Sequence, residues 1–259
     1  MQVIYRIYYY FIHLLTARNS KGFGVHSPYL FQFTNYVLLE KNEFYVYKKI
    51  ENIRHNLLVD KRIINTKDFG TGSSNAKKVS KIAYSSLIQP KYGQLIFRTI
   101  NYLKLNNLLE LGTSLGISTA YIASTSSKSH CITLEGCEQT ANIAMDTFNN
   151  LNLQNIKIIT GNIDNTIHTA LNEFNEIDFV FIDANHNYNA TLKYFEIIVP
   201  KLSKNAVVIF DDIYWSNEMK QAWQVIKAKK QVTSTIDLFQ IGICFFNPDL
   251  TKKNYKMLF

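Results

Sequence analysis

The stretch NLLELGTSLGISTAYIA, residues 107–123, constrains this chain more than any other. Leu108, Leu109 and Leu111 around Glu110 read as a buried strand. Gly112 follows at once, then Gly116, and a helical pattern runs on from Ile117 with Ser114 and Ser118 as cap candidates. A strand carrying an acid, a glycine turn and a helix N-terminus make a cradle. The glycines let a ligand approach the backbone where a Cβ would stand in the way. The dinucleotide fingerprint G-x-G-x-x-G seats a pyrophosphate on the helix N-terminus. The spacing here is E-x-G-x-x-x-G-x-S, with the acid ahead of the first glycine. The competing reading is an ordinary strand–turn–helix whose glycines serve packing.

The sequence after this stretch alternates strand and helix. Strands are predicted at 130–135, 156–160, 177–183 and 206–211, with helices at 138–151, 166–174, 190–202 and 218–229. Two last strands, 232–239 and 241–246, are joined by a very tight turn and so pair antiparallel. This rhythm predicts an α/β, Rossmann-like parallel sheet of seven strands closed by an antiparallel β-hairpin. The preceding region, 1–95, reads as mostly helical, which divides the chain into 1–95 and a domain at 96–259. Within it, Ser27-Pro28 looks like an N-cap with proline at the first helical position, opening a helix to Leu39. A helix is predicted from Pro90 to Asn101. The run DFGTGS at 68–73 offers a second D-x-G-x-G. Only the apolar pair Ile63-Ile64 precedes it, so it reads as a turn.

Composition bounds the partners. At 47% hydrophobic and 19% charged, the chain can bury a full core. Its net charge is +8, but the lysines are scattered, so the surface reads as solvated and basic, not as a nucleic-acid groove. Cys131, Cys137 and Cys244 form neither a zinc pattern nor a disulfide framework, which suits a reducing, cytoplasmic setting. Residues 3–15, VIYRIYYYFIHLL, are too short for a bilayer span and interrupted by Arg6 and His13. They are expected to form a helix packed on the domain or on a second copy in a homodimer. Docking on a membrane surface is the lesser alternative.

In an open parallel sheet, ligands lie outside the strand C-termini. Glu135 ends the second strand of the alternating region, placed to accept ribose hydroxyl protons, and Asn162 after the third can reach an adenine edge. Asp183, Asp211 and Asp212 end the fourth and fifth. Three converging carboxylates repel unless a cation lies between them, and magnesium takes such oxygen ligands. The alternative has Asp212 capping the next helix. His186, just beyond Asp183, is a candidate base, or a capping or packing residue. Trp215 is a candidate wall of the acceptor pocket.

With these residues in place, 107–246 resembles the class I S-adenosylmethionine (SAM) O-methyltransferases. The catechol and caffeoyl-CoA type and related metal-dependent sugar enzymes are the most similar kinds. LELGTSLGIS, the acid in TLEG, FIDANHNY and IFDDIYW fall in the family's order. The resemblance implies cofactor contacts from Glu110, Gly112, Ser114, Gly116, Ser118, Glu135, Gly136 and Asp183. It implies magnesium on Asp183, Asp211 and Asp212, and Asp183 with His186 in catalysis. Catechol-type enzymes carry a lysine where this chain has His186, which leaves the base open. The activity implied is methylation of a small-molecule hydroxyl, with no transmembrane segment needed. Two other readings stand: an RNA ribose methyltransferase, and a non-catalytic SAM-binding partner protein. The Asp/Asn-Pro-Pro-aromatic loop of amino-directed base methylation is absent, since Asp183 is followed by Ala-Asn-His.

Overall fold

The computed structural model describes residues 2–67 and 74–259. Along the chain, α1 (Gln2–Thr16) and α2 (Pro28–Phe33) come first. Ser27 caps α2 as expected, and the helix runs on into a π-helical turn, Thr34–Leu38. Then come α3 (Tyr45–Val59), β1 (Ile63–Lys67), β2 (Ser74–Lys78), α4 (Val79–Ser86) and α5 (Pro90–Leu103). The alternating region follows as β3 (Asn107–Leu111), α6 (Ile117–Ala123), β4 (His130–Glu135), α7 (Glu138–Asn150), β5 (Ile156–Thr160) and α8 (Ile163–Asn172). It continues through β6 (Ile177–Ile182), α9 (Tyr188–Ile198), β7 (Leu202–Phe210) and α10 (Asn217–Ala228). The chain closes with β8 (Ser234–Asp237), β9 (Gly242–Phe245) and β10 (Lys253–Lys256).

The main sheet has eight strands in the order β10-β8-β9-β7-β6-β3-β4-β5, a Rossmann-like α/β architecture with the expected antiparallel closing hairpin. The eighth strand, β10, was not expected. It lies parallel to β8 and buries Tyr255 alone, so its sequence lacks the apolar alternation that marks a strand. The first region is mostly helical, as expected, and the antiparallel ribbon β1–β2 is an addition to that reading. It buries Ile64 and exposes Ile63, too little apolar surface to leave a periodic signal. The turn read at 68–73 lies outside the described residues.

By its contacts the chain forms two compact units: Lys41–Asn175, and Met1–Glu40 with Glu176–Phe259. The first, the glycine-loop unit, carries the parallel strands β3, β4 and β5. Its helices are tied by side chains, as where the Tyr121 hydroxyl of α6 donates to Glu51 of α3 at 2.7 Å. Gly93 of α5 lets Tyr121 lie against the backbone, for a Cβ there would meet the ring at 2.5 Å.

The second, the acid-tip unit, joins β6 and β7 in parallel and adds β9 and β8 antiparallel. Asp237 at the end of β8 is buried and accepts from the Tyr214 hydroxyl at 2.9 Å and the Trp223 indole at 3.2 Å. His13 of α1 lies between the same carboxylate, at 3.4 Å, and the carbonyl of Met257, at 2.9 Å. Burial pulls the pKa of His13 down, against both oxygens. Around this anchor α1 lays Tyr10 and His13 on Phe239. The helix predicted at 3–15 therefore does pack on its own chain. No disulfide joins Cys131, Cys137 and Cys244. Among the described residues, no helix is long and apolar enough to cross a membrane.

Candidate active site

The glycine-loop unit builds its site from one strand–turn–helix and the tip of the next strand. Gly112 leaves β3 at φ 102° and donates to Leu134 of β4 at 3.0 Å. Ser114 takes a left-handed φ of 48°, and Gly116, at 84°, is the N-cap of α6. Neither serine caps this helix, contrary to the sequence expectation: a left-handed backbone there suits glycine, and Ser118 sits inside the helix. A Cβ on Gly116 would meet Phe148 at 2.7 Å. That glycine therefore serves the packing of α6 on α7, while the loop before it turns toward Glu135.

Two acids face this loop. Glu135 accepts the Ser114 N–H at 2.8 Å on one oxygen and the Cys137 N–H at 2.9 Å on the other. Burial raises its pKa against backbone donors that include Gly136. Glu110 is fully buried, and one of its oxygens accepts from Thr119 and from Thr133, the latter at 2.7 Å. Its other oxygen, Oε1, is buried and accepts no hydrogen bond of ordinary geometry. Burial pushes the Glu110 pKa to about 7, against hydrogen bonds from Ser118, Thr119 and Thr133. A buried carboxyl oxygen short of a well-placed donor is a costly feature in a folded protein. It fits a ligand that brings a donor, such as the α-amino group of a SAM methionine moiety. Glu135, at the strand tip, fits the ribose hydroxyls of the same ligand. Asn162 spends its side-chain oxygen on capping α8, accepting the Asp164 N–H at 3.0 Å.

The acid-tip unit gathers the other candidates. Asp183 follows β6, and His186 Nε2 lies 3.3 Å from its Oδ1. The cap of α9 is Asn187, so the capping alternative for His186 does not hold. Asp211 is buried and follows β7. Burial, and then the charges of Asp183 and Asp212, hold its carboxyl well above the usual range. Asp212 adopts a left-handed φ of 54° and does not cap the following helix, a role taken by Ser216. Asp183 and Asp212 thus lie near enough to Asp211 to act on it by charge, and two further groups that the sequence did not single out reach Asp211 and Asp212. Gln240, in the turn between β8 and β9, donates through Nε2 to Asp211 at 3.0 Å and to Asp212 at 2.6 Å. Arg6 of α1 donates to Gln240 Oε1 at 2.9 Å and reaches Asp212 at 3.7 Å. Its guanidinium lies 4.8 Å over the Trp215 ring, whose centroid is 6.5 Å from that of His186. A charged residue alone in an aromatic helix was the sign available for Arg6. A glutamine in a hairpin turn gave none.

The magnesium expected on Asp183, Asp211 and Asp212 can be tested against this donor set. Magnesium needs oxygen ligands at about 2.0–2.1 Å in near-octahedral array. Here an amide N–H₂ is directed at Oδ1 of both Asp211 and Asp212, with a guanidinium behind it. Among the described residues no group of three His, Cys, Asp or Glu side chains is arranged to hold a metal ion. The residues as placed do not fit the ion.

Residues 109–213 match a family model described as a methyltransferase domain. A search of the curated proteins found no match. Among solved structures, an O-methyltransferase from Bacillus cereus, in complex with SAH, is similar at 20% identity and a TM-score of 0.56, over 83% of this chain and 96% of that one. The O-methyltransferase TomG from Streptomyces achromogenes, involved in tomaymycin synthesis and in complex with SAM, gives 15% and 0.57, over 83% and 94%. SAH-bound methyltransferase PaMTH1 from Podospora anserina gives 14% and 0.55, over 80% and 99%. The chain has the class I SAM-dependent methyltransferase fold.

Proposed function

We propose that this chain is a SAM-dependent methyltransferase acting on the hydroxyl of a small molecule. The observation that carries the reading is the pair His186–Asp183 at 3.3 Å, at the C-terminal end of a sheet strand. A base held by a carboxylate is what deprotonation of a hydroxyl requires. The solved relatives named as O-methyltransferases support the same acceptor chemistry.

SAM supplies a methyl group on a sulfonium, open to in-line displacement. Glu110 and Glu135 would bind and orient the cofactor, one at the amino-acid tail and one at the ribose, while Gly112, Ser114, Gly116 and Ser118 shape its loop, Gly136 follows the ribose acid and Asn162, after β5, faces the adenine edge. With its Nε2–H directed at Asp183, His186 takes the acceptor proton at Nδ1, and Asp183 stabilises the resulting imidazolium. Holding the acceptor in line contributes up to about 7–11 kcal/mol toward the barrier. In this reading, 96–259 does the cofactor work and 1–95 supplies acceptor or partner contacts. Val3, Ile4, Phe11 and Leu15 stand 61–82% exposed on α1, which supports a second copy of the chain as partner.

The test is methyl transfer from labelled SAM to a panel of hydroxylated small molecules and to RNA. His186→Ala should bind S-adenosylhomocysteine (SAH) like the wild type and lose turnover by about 10²-fold or more. Label appearing in RNA alone would favour ribose methylation. No transfer, with SAH bound normally, would favour a non-catalytic partner protein.

A further inference from the structure

We propose that Arg6 is the resident cation of the acidic cluster formed by Asp183, Asp211 and Asp212, and that it takes the place of a divalent ion there. Three observations meet in this residue. Its Nη2 donates to Gln240 Oε1 at 2.9 Å, and a guanidinium has donors only. The Gln240 amide is therefore fixed with its oxygen toward Arg6 and its N–H₂ toward the acids. That N–H₂ then serves Asp211 and Asp212 together, at 3.0 and 2.6 Å. The Asp212 oxygen that receives it also lies 3.7 Å from the guanidinium itself. Positive charge thus reaches the two neighbouring acids from one side, directly on Asp212 and through a polarised amide on Asp211.

The cation is held from behind as well. Arg6 lies 4.8 Å over Trp215, a cation–π arrangement that keeps a part-buried guanidinium in one place. The loop that carries Trp215 is pinned to the same turn, where Ile213 N–H donates to the Gln240 carbonyl at 3.2 Å. α1 is anchored through His13 between Asp237 and Met257. The charge is therefore built into the fold. An ion entering the cluster must displace the Gln240 amide and push against the guanidinium.

Arg6 is on this account a positioning residue. It sets the Gln240–Asp211–Asp212 arrangement and backs the Trp215 ring beside His186.

The experiment reads ion binding and not turnover, so its failure leaves the methyl-transfer reading standing. Mn²⁺ is titrated into the full chain, with the free-ion spin-resonance signal and the melting temperature recorded. The wild type should leave both unchanged. Arg6→Ala exposes the acids to solution ions and should bind Mn²⁺ about tenfold or more tightly than the wild type, with a melting temperature that rises with Mn²⁺. Arg6→Met keeps the apolar stem on Trp215 and should behave alike if the alanine variant folds poorly. Arg6→Lys retains the charge and should stay indifferent. Mn²⁺ binding by the wild type that Asp212→Ala abolishes would overturn the proposal. So would folded Arg6→Ala and Arg6→Met variants that bind no more Mn²⁺ than the wild type.

Discussion

The glycine-loop unit and the acid-tip unit each present acids at strand ends, and they hold them in different ways. Glu135 is gripped by backbone N–H groups of Ser114 and Cys137, and Glu110 by hydroxyls of Thr119 and Thr133. All four partners lie in the β3–α6–β4 run or directly after it. Asp211 and Asp212 depend instead on Gln240 and Arg6, from the closing hairpin and the first helix. A local arrangement forms whenever its loop forms. A distributed one needs α1, the β8–β9 turn and the tip of β7 assembled together.

The largest effect expected from this contrast lies at the anchor of the distributed arrangement. Asp237→Ala strands the Tyr214 hydroxyl and the Trp223 indole in the core and leaves His13 to the Met257 carbonyl alone. It should cost about 3–5 kcal/mol of stability in urea unfolding, the scale for breaking a buried polar cluster from one side. A loss under about 1 kcal/mol would mean the donors find other partners, and the acid-tip unit would not depend on this anchor.

In the glycine-loop unit the expected effect is a pH dependence. Glu110 has a native pKa of about 7, against an ordinary value of 4.5. The native protein keeps a proton there that the unfolded chain has already released. This contribution is fully present below the unfolded pKa and is lost as pH rises through about 7, to a total of about 3 kcal/mol. Glu110→Gln keeps an acceptor and cannot ionise, so it should flatten that part of the stability curve in the SAM-free protein. Urea midpoints at about pH 5 and pH 8 measure it. The same slope in both proteins would show that Glu110 titrates normally in the fold.

The contrast also explains what could be read from sequence. LELGTSLGIS and TLEG encode their own geometry, so β3, β4, the loop and both acids were legible. Asp183, Asp211 and Asp212 were legible at strand ends, because IDFVFID is apolar but for Asp178 and AVVIF is wholly apolar, and acids close both. Their partners were not. Nothing in the sequence ties Arg6 to Gln240, and a glutamine beside Phe239 at φ 72° in a tight turn looks like any turn residue. The strands β1, β2 and β10 were missed because they bury little apolar surface. A carboxylate cluster in sequence suggests an ion by its charge alone, and only the fold reveals that a guanidinium lies beside it.

The comparison is tested most directly by calorimetry of SAH binding to two variants side by side. Glu135→Ala removes an acid of the glycine-loop unit and should weaken SAH by about 1.5–3 kcal/mol, the scale of hydrogen bonds to a charged acceptor. Asp212→Ala removes an acid of the acid-tip unit and should leave SAH within about threefold of the wild type, under 1 kcal/mol. Unchanged affinity in Glu135→Ala, or equal losses in two folded variants, would contradict the account.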